Sequence, residues 1–244
     1  SKNRNKINAI STCDTLNLMN LYQYIDNINL FNHHLCHAAA TFFTSPFKNA
    51  AILVLDGAGS RRQLKNGDYE FETVSMYAGY GTDIALLKKI TGTMGEDINE
   101  KHNHHLDIPN SLGVFYTYIT KIVGFNFLDD GKTMGLASYG DTNSFYKDLI
   151  KYVDFLDDGS VLIKLTDKKA HEYKAIIDQE TDNNKKFQLK ADFAASGQKI
   201  LEEIYFHYIN LIYDLTKQEN LCISGGVALN SLANGQIKNK TKFK

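Results

Sequence analysis

The chain has 244 residues, of which 43% are hydrophobic and 23% charged, and its formal net charge is −1. This composition is typical of a folded chain that buries a sizeable core, and it excludes the charge-rich, apolar-poor profile of disorder. The near-neutral charge also excludes the broad basic field of a general nucleic-acid binder, although a local patch remains open.

The cysteine pattern and the apolar pattern bear on the cellular compartment. The three cysteines, Cys13, Cys36 and Cys222, are odd in number, widely spaced and free of any CxxC pair, which favours a reducing compartment over a disulfide scaffold. No apolar run approaches the ~20 residues that span a bilayer, and the polar start lacks the apolar stretch of a signal peptide. We therefore predict a soluble cytoplasmic protein without a membrane partner.

The first half of the chain predicts helices and strands in turn. A short helix is predicted over 16–25, and an alanine-rich helix over 33–43 ends near Pro46, because proline cannot continue a helix. The apolar run at 50–56 is typical of a buried strand, and 68–81 has the partial alternation of a strand or hairpin.

The second half contains further helices and strands. Apolar residues at helical spacing predict an amphipathic helix from Leu112 to Val123, with Gly124 as its stop. The remaining predictions are a hairpin at 154–165, a polar loop at 171–189, a long helix at 191–218, a buried strand at 220–224 and a helix at 227–237. Strands mixed with helices predict an α/β fold with a mixed sheet.

A metal site is the first candidate for chemistry. His33 and His37 stand four residues apart on a predicted helix, so their Cβ atoms share one face at ~6 Å. Asp56 ends a predicted strand, where active-site residues of open α/β sheets gather, and its carboxylate could complete a His-His-Asp site for iron or zinc. The alternative is that His33, His34 and His37 are surface or core histidines of the helix.

Two glycine-rich turns are candidates for binding an anion. Gly57 and Gly59 follow the strand that ends at Asp56, and the segment 224–230 places Gly225-Gly226 between a strand and a helix. Neither turn has the GxxxxGK[ST] or GxGxxG form, so ordinary packing turns are the alternative.

Lysine and histidine supply two weaker signals. Lys132 lies between glycines in segment 131–140, a flexible setting that suits phosphate binding, although a solvated lysine is commoner. The histidines of segment 102–105 are interpreted as surface residues, because they lack regular metal-ligand spacing. No GxSxG motif and no activated cysteine is apparent.

Four segments together resemble the NodU/CmcH carbamoyltransferases. The resemblance extends from about residue 31 to 240 and is weakest at 141–190. The segments are FNHHLCHAAATFFTSPFKNAAILVLDGAGS (31–60), IPNSLGVFYTYITKIVGF (108–125), GKTMGLASYG (131–140) and NLCISGGVALNSLANGQI (220–237).

The resemblance implies a fold and a reaction. The family carries a Kae1-like domain of the actin-like ATPase (ribonuclease H-like) fold, followed by a YrdC-like domain. The latter makes carbamoyladenylate from carbamoyl phosphate and ATP, and the former passes the carbamoyl group to a hydroxyl of an acceptor.

The resemblance also implies roles for individual residues. His33, His37 and Asp56 match a catalytic metal site usually reported with iron, so Fe(II) or another divalent metal is the expected cofactor. Gly225, Gly226 and Asn230 match the nucleotide-binding segment, and Gly57, Gly59 and Lys132 are further candidates for holding the adenylate phosphate.

The chain departs from the family pattern at both ends. Residues 1–30 lack the usual first phosphate loop, no metal-ligating aspartate follows the segment 224–230, and no YrdC-like domain is present. We therefore expect 1–244 to be the central part of an incomplete Kae1-like domain, whose isolated activity is in doubt.

Two other functions remain open. The HxxxH pair and the double glycine also suit a tRNA threonylcarbamoyl transferase, although the near-neutral charge gives no tRNA footprint and the prediction is no nucleic-acid partner. The missing phosphate loop suits an inactive module that binds nucleotide or metal. The expected partners are carbamoyl phosphate, ATP and a hydroxylated small-molecule acceptor, and a homodimer is left open.

Overall fold

A computed structural model describes residues 10–13, 28–94 and 108–244. The strands are β1 Ile10–Cys13, β2 Ile28–Phe31, β3 Asn49–Leu55, β4 Arg61–Gln63, β5 Tyr69–Tyr80, β6 Asp83–Met94, β7 Val153–Phe155, β8 Val161–Ile163 and β9 Leu221–Ser224. The helices are α1 His33–Phe43, α2 Leu112–Ile122, α3 Asp130–Ala137, α4 Tyr146–Ile150, α5 Asp167–Gln179, α6 Asn183–Thr216, α7 Ser231–Asn234 and α8 Ile237–Lys240, with a 3-10 turn at Gly226–Leu229.

A five-stranded mixed sheet with β3 inside it forms the centre of the fold. Strand β3 runs parallel to β9 on one side and antiparallel to β5 on the other. Strand β4 pairs with β5 on the same side as β3, further towards the start of β5, and β6 pairs with the other side of β5. Two small pairs, parallel β1–β2 and the β7–β8 hairpin, lie outside this sheet. The predicted α/β class with a mixed sheet and flanking helices is confirmed.

Both faces of β3 are covered. Ala50, Ile52 and Val54 point into a small core beneath α1, whereas Leu53 and Leu55 point into the larger core. That larger core is built chiefly by α2 and the 34-residue α6. Because both faces are buried, the strand is a continuous apolar run rather than an alternating one.

Local sequence signals set the ends of the helices that carry the site. Asn32 caps α1, since its side-chain oxygen accepts a hydrogen bond from the backbone N–H of Leu35 at 2.9 Å. Ser111 caps α2 through the N–H of Val114, and Gly124, at φ +88°, follows its end. The predicted helix at 33–43 and strands at 50–56 and 220–224 are confirmed to within a residue or two.

Three predictions of secondary structure were wrong, and two of them concern the second half of the chain between 171 and 237. The polar loop predicted at 171–189 is helical, because Thr166 and Asp182 cap α5 and α6, and buried Ala170 and Ile177 anchor α5. The helix predicted at 227–237 is broken: Asn230, at ψ 94°, separates the 3-10 turn from α7.

The third error concerns the glycine setting of Lys132. Segment 131–140 is not a flexible loop, since Gly131, Lys132 and Gly135 lie inside α3. The predicted helix at 16–25 and the histidines of 102–105 lie outside the described residues. Among the residues that are described, no helix is both long enough and apolar enough to cross a membrane.

Candidate metal centre

Two histidines of α1 and one aspartate after β3 converge on a point. The Nε2 atoms of His33 and His37 are 3.1 Å apart, and the Oδ2 atom of Asp56 lies 2.8 Å from the first and 3.5 Å from the second. All three side chains are partly buried, with Asp56 only 15% exposed. The predicted His-His-Asp cluster is therefore present in space.

The spacing of these atoms fits a shared divalent ion. Ligand atoms at ~2.1 Å from one ion, with angles of ~90–109° between them, are ~3.0–3.4 Å apart. The observed separations of 2.8, 3.1 and 3.5 Å bracket that range. Two imidazole nitrogens and one carboxylate oxygen suit iron(II) or zinc and leave coordination positions open for substrate.

The second oxygen of Asp56 is held by backbone groups. The N–H of Gly57 donates to Oδ1 at 2.8 Å, and the N–H of Gly226 donates to the same atom at 3.2 Å. Burial raises the pKa of Asp56, but hydrogen bonds from His37, Gly57, His33 and Gly226 outweigh it and hold this pKa well below the usual range. Asp56 is thus an ionised carboxylate whose Oδ2 is aimed at the imidazoles.

The neighbouring histidine has a structural role. His34 is fully buried, and its Nδ1 lies 2.7 Å from the hydroxyl of Ser75. Burial lowers the pKa of His34 to about 4, against the weaker opposing effect of Glu72, so the ring is neutral at pH 7. For His34, the alternative of a core histidine is correct.

A cavity of about 410 Å³ adjoins the candidate metal centre. Asp56, Gly57 and Gly226 form the side nearest the cluster, and Phe127, Leu128, Met134 and Leu229 supply an apolar part of the lining. Asp130 also lines it, and burial raises the pKa of that carboxyl although Thr120 donates a hydrogen bond to it at 2.8 Å. A small organic molecule fits a cavity of this size and character.

The glycines predicted to bind nucleotide have different surroundings. Gly57 and Gly226 line the cavity, whereas Gly225 has φ +99° and lies so close to β3 that a Cβ atom would be 2.2 Å from the carbonyl oxygen of Leu55. At Gly59, a Cβ atom would be 2.6 Å from the ring of His34. At Gly225 and Gly59, glycine is therefore needed because the neighbouring atoms leave no room for a side chain.

The two remaining nucleotide-binding candidates are engaged with protein groups. The ammonium group of Lys132 lies 2.8 Å from Asp129, and its side chain is 63% exposed. The buried amide of Asn230 forms a reciprocal pair with Gln198 at 2.9 and 3.0 Å, and its oxygen also caps α7. Asn230 nevertheless lines the cavity together with Gly57 and Gly226, whereas Lys132 is not among the residues that line it.

Several residues at the site were missed by sequence reasoning. Ser224 lies 3.0 Å from the Nδ1 atom of His37, and Asp130 lines the cavity. Gln198 accepts a hydrogen bond from Tyr116, which lines the cavity, and Glu72 contacts the cap of α1. The position of Ser224 at a strand end was a usable signal. Gln198 and Glu72 have partners far away in sequence, which no local pattern shows, and Asp130 accepts a hydrogen bond from Thr120, 10 residues earlier.

The class of protein is thus an α/β protein with a candidate metal centre: two histidines and one carboxylate meet at the carboxyl end of the central strand β3, beside a ligand-sized cavity. The family model "Carbamoyltransferase N-terminus" matches residues 4–244, and the chain belongs to that family. The resemblance to the NodU/CmcH carbamoyltransferases is thereby confirmed.

Three curated relatives illustrate this similarity. The uncharacterized protein sll1178 of Synechocystis is 33% identical over 236 residues, which cover 88% of this chain and 33% of that protein. The nodulation protein NolO of Bradyrhizobium diazoefficiens is 30% identical over 84% of this chain and 33% of its own length. The nodulation protein NolNO of Sinorhizobium fredii is 30% identical over 86% of this chain and 27% of its length. The chain spans about a third of the length of these relatives.

Proposed function

We propose that this chain supplies the transfer site of an O-carbamoyltransferase. The proposed reaction moves a carbamoyl group from carbamoyladenylate, made from carbamoyl phosphate and ATP, to a hydroxyl of a small-molecule acceptor. The convergence of His33, His37 and Asp56 beside a cavity, in a chain of a carbamoyltransferase family, carries this proposal. An actin-like, Kae1-like fold and a cytoplasmic location are part of it and rest on the sequence resemblance and the cysteine pattern.

The three ligands define what the centre would contribute. Fe(II) or another divalent ion bound there acts as a Lewis acid, which lowers the pKa of an acceptor hydroxyl or polarises the carbamoyl carbonyl. The residues of the chain prepare this centre: the N–H groups of Gly57 and Gly226 occupy Oδ1 of Asp56, which leaves Oδ2 for the ion. Ser224 contacts the outer nitrogen of His37 and so fixes the ring orientation.

The cavity provides the environment for transfer. Leu128, Met134 and Leu229 offer an apolar surface to the acceptor, and the cavity is open to solvent on that side, since Leu128 and Leu229 are 77% and 81% exposed. Asp130 offers a carboxyl that can hydrogen-bond a hydroxyl or amino group of the ligand. In the reaction the acceptor oxygen bonds to the carbamoyl carbon, the bond from that carbon to the phosphate oxygen breaks, AMP leaves, and the hydroxyl proton is released.

Metal binding by the chain is the first test. Equilibrium dialysis against Fe(II) without oxygen should show one ion per chain for the unaltered protein. His33→Ala and Asp56→Asn each remove one of three ligands and should abolish stoichiometric binding. The control is His171→Ala, because that histidine is exposed on α5, away from the cluster. Unchanged metal content in His33→Ala would contradict the proposed centre.

The transfer reaction is tested in the protein that carries this chain. Labelled carbamoyl phosphate, ATP and a panel of hydroxylated small molecules should give labelled carbamate ester and AMP, and His33→Ala should remove the product. A parallel assay with labelled threonine, ATP and tRNA tests the threonylcarbamoyl alternative, because the transferred group would contain threonine, and labelled tRNA would favour that alternative. Metal binding without transfer to any acceptor would instead favour a binding module.

A further inference from the structure

The first turn of α1 is tied to a buried carboxylate on β5. Glu72 is only 5% exposed, and its two oxygens lie 2.7 and 2.8 Å from the side-chain nitrogen of Asn32. The ammonium group of Lys89, on the neighbouring strand β6, forms an ion pair with the same carboxylate. A carboxylate this deeply buried is costly unless it is paired and hydrogen-bonded, and here both conditions are met.

Asn32 connects this carboxylate to the metal cluster. Its side-chain oxygen caps α1 at Leu35, while its nitrogen donates to Glu72 and contacts the hydroxyl of Ser60 at 2.9 Å. That hydroxyl accepts the backbone N–H of His33 at 2.8 Å. Glu72 therefore holds the side chain of Asn32, and Ser60 holds the backbone N–H of His33.

The two histidine ligands differ in how firmly α1 itself holds them. His33 is the first residue of the helix, where the backbone N–H groups have no partner within the helix and the end frays. His37 lies one turn further in and has Ser224 against its ring. Because metal ligands must be held within about 0.5 Å of their working positions, His33 needs an external anchor more than His37 does.

We propose that Glu72 is a positioning residue of the metal centre, which holds His33 in place through the side chain of Asn32. The proposal rests on the metal binding proposed above. Glu72 lies 39 positions after His33 in the sequence. Its proposed role is in metal affinity and is distinct from a general contribution to folding. The positions of the other two ligands, His37 and Asp56, are expected not to depend on Glu72.

The test uses Co(II) as a spectroscopic probe of the whole chain. Glu72→Gln keeps the side-chain volume but removes one acceptor oxygen and the charge, so the Co(II) Kd should rise roughly 10–100-fold, as is typical of changes to groups that orient metal ligands. The matched control is Glu70→Gln. Glu70 lies on the same face of β5 and is also ion-paired, with Arg62, but it does not contact Asn32. Its replacement should leave the Kd unchanged.

A second background separates positioning from general destabilisation. His37→Ala and His33→Ala each keep two of the three ligands, so both should still bind Co(II) weakly, with a Kd that is measured at high Co(II) concentration. Glu72→Gln should again raise the Kd in His37→Ala and should leave it unchanged in His33→Ala. An equal rise in both backgrounds, or no rise in the otherwise unaltered chain, overturns the proposal. Absence of Co(II) binding by the unaltered chain would instead contradict the proposed centre itself.

Asn32→Ser guards against misfolding of Glu72→Gln. Serine retains a good helix cap but cannot donate an amide hydrogen to Glu72. The apo variant should still fold, with a lower urea midpoint because buried Glu72 loses a hydrogen bond, and should bind Co(II) roughly 10-fold more weakly in the absence of urea. Unaltered Co(II) affinity in a folded Asn32→Ser chain also overturns the proposal.

Discussion

Replacing Gly225 with alanine tests how the turn after β9 supports the metal centre. The residue has φ +99° and ψ 168°, a conformation that is essentially restricted to glycine. An added Cβ atom would lie 2.2 Å from the carbonyl oxygen of Leu55. The obstacle is backbone of the central strand β3, which cannot move aside as a flexible side chain would.

The expected loss follows from these two features. The backbone conformation costs about 1–3 kcal/mol for a residue with a side chain. To bring the added Cβ atom and the carbonyl oxygen of Leu55 to a distance of 3.0 Å, one of them must move by about 0.8 Å. Overpacking of this kind costs a further ~1–3 kcal/mol. We expect the free energy of unfolding to fall by about 2–6 kcal/mol in Gly225→Ala.

Urea unfolding followed by circular dichroism measures this loss. Gly135→Ala is the matched control, because that glycine lies in α3 with open space around it. Alanine there should raise stability by about 0.5–1 kcal/mol. Metal affinity should also fall in Gly225→Ala, since a shifted turn moves the N–H of Gly226 away from Asp56. A Gly225→Ala chain with the stability of the unaltered protein would refute this reasoning.

Two further predictions concern the centre and the cavity. Ser224→Ala removes the contact to Nδ1 of His37, so the Fe(II) Kd measured by dialysis should rise about 10-fold while stability changes little; an unchanged Kd would show that the serine does not orient the ring. Asp130 has a pKa raised by burial, so its carboxylate form favours unfolding, and stability is lost as the pH rises through the folded-state pKa. Asp130→Asn should therefore raise the urea midpoint at pH 7 but not at a pH below the ordinary value of 3.8, and an equal shift at both pH values would contradict this account.

Patterns contained in a few neighbouring residues predicted the structure well. The four-residue spacing of His33 and His37 placed both rings on one helix face, and the apolar run before Asp56 identified the strand that carries the third ligand. Both signals are local, because the periodicity of a helix and the burial of a strand are visible in a short stretch of consecutive residues. The convergence of the two elements followed from their packing, since α1 contacts β3 directly.

Features that depend on distant partners could not be predicted. Glu72 contacts a residue 40 positions earlier, and Gln198 pairs with a residue 32 positions later, so nothing near either residue in sequence marks its role. The segment 171–189 misled because its polar composition is typical of a loop, whereas α5 needs only a narrow buried stripe at Ala170 and Ile177. At Asn230 the side-chain oxygen accepts a hydrogen bond from the backbone N–H of Ala233 and caps α7, a local bond that competes with a continuous helix.

The glycines around Asp56 permit close approach of three backbone segments to one carboxylate. At Gly113 of α2, a Cβ atom would lie 2.7 Å from the Cα atom of Gly57, and at Gly225 it would lie 2.2 Å from the carbonyl oxygen of Leu55 at the end of β3. The N–H groups that this crowding exposes, those of Gly57 and Gly226, are directed at Oδ1 of Asp56. A phosphate at this turn would therefore share its donors with an ionised carboxylate and be repelled by it. In the proposed reaction, the charge of a bound metal ion would therefore contribute more than the glycine amides to binding an anionic adenylate.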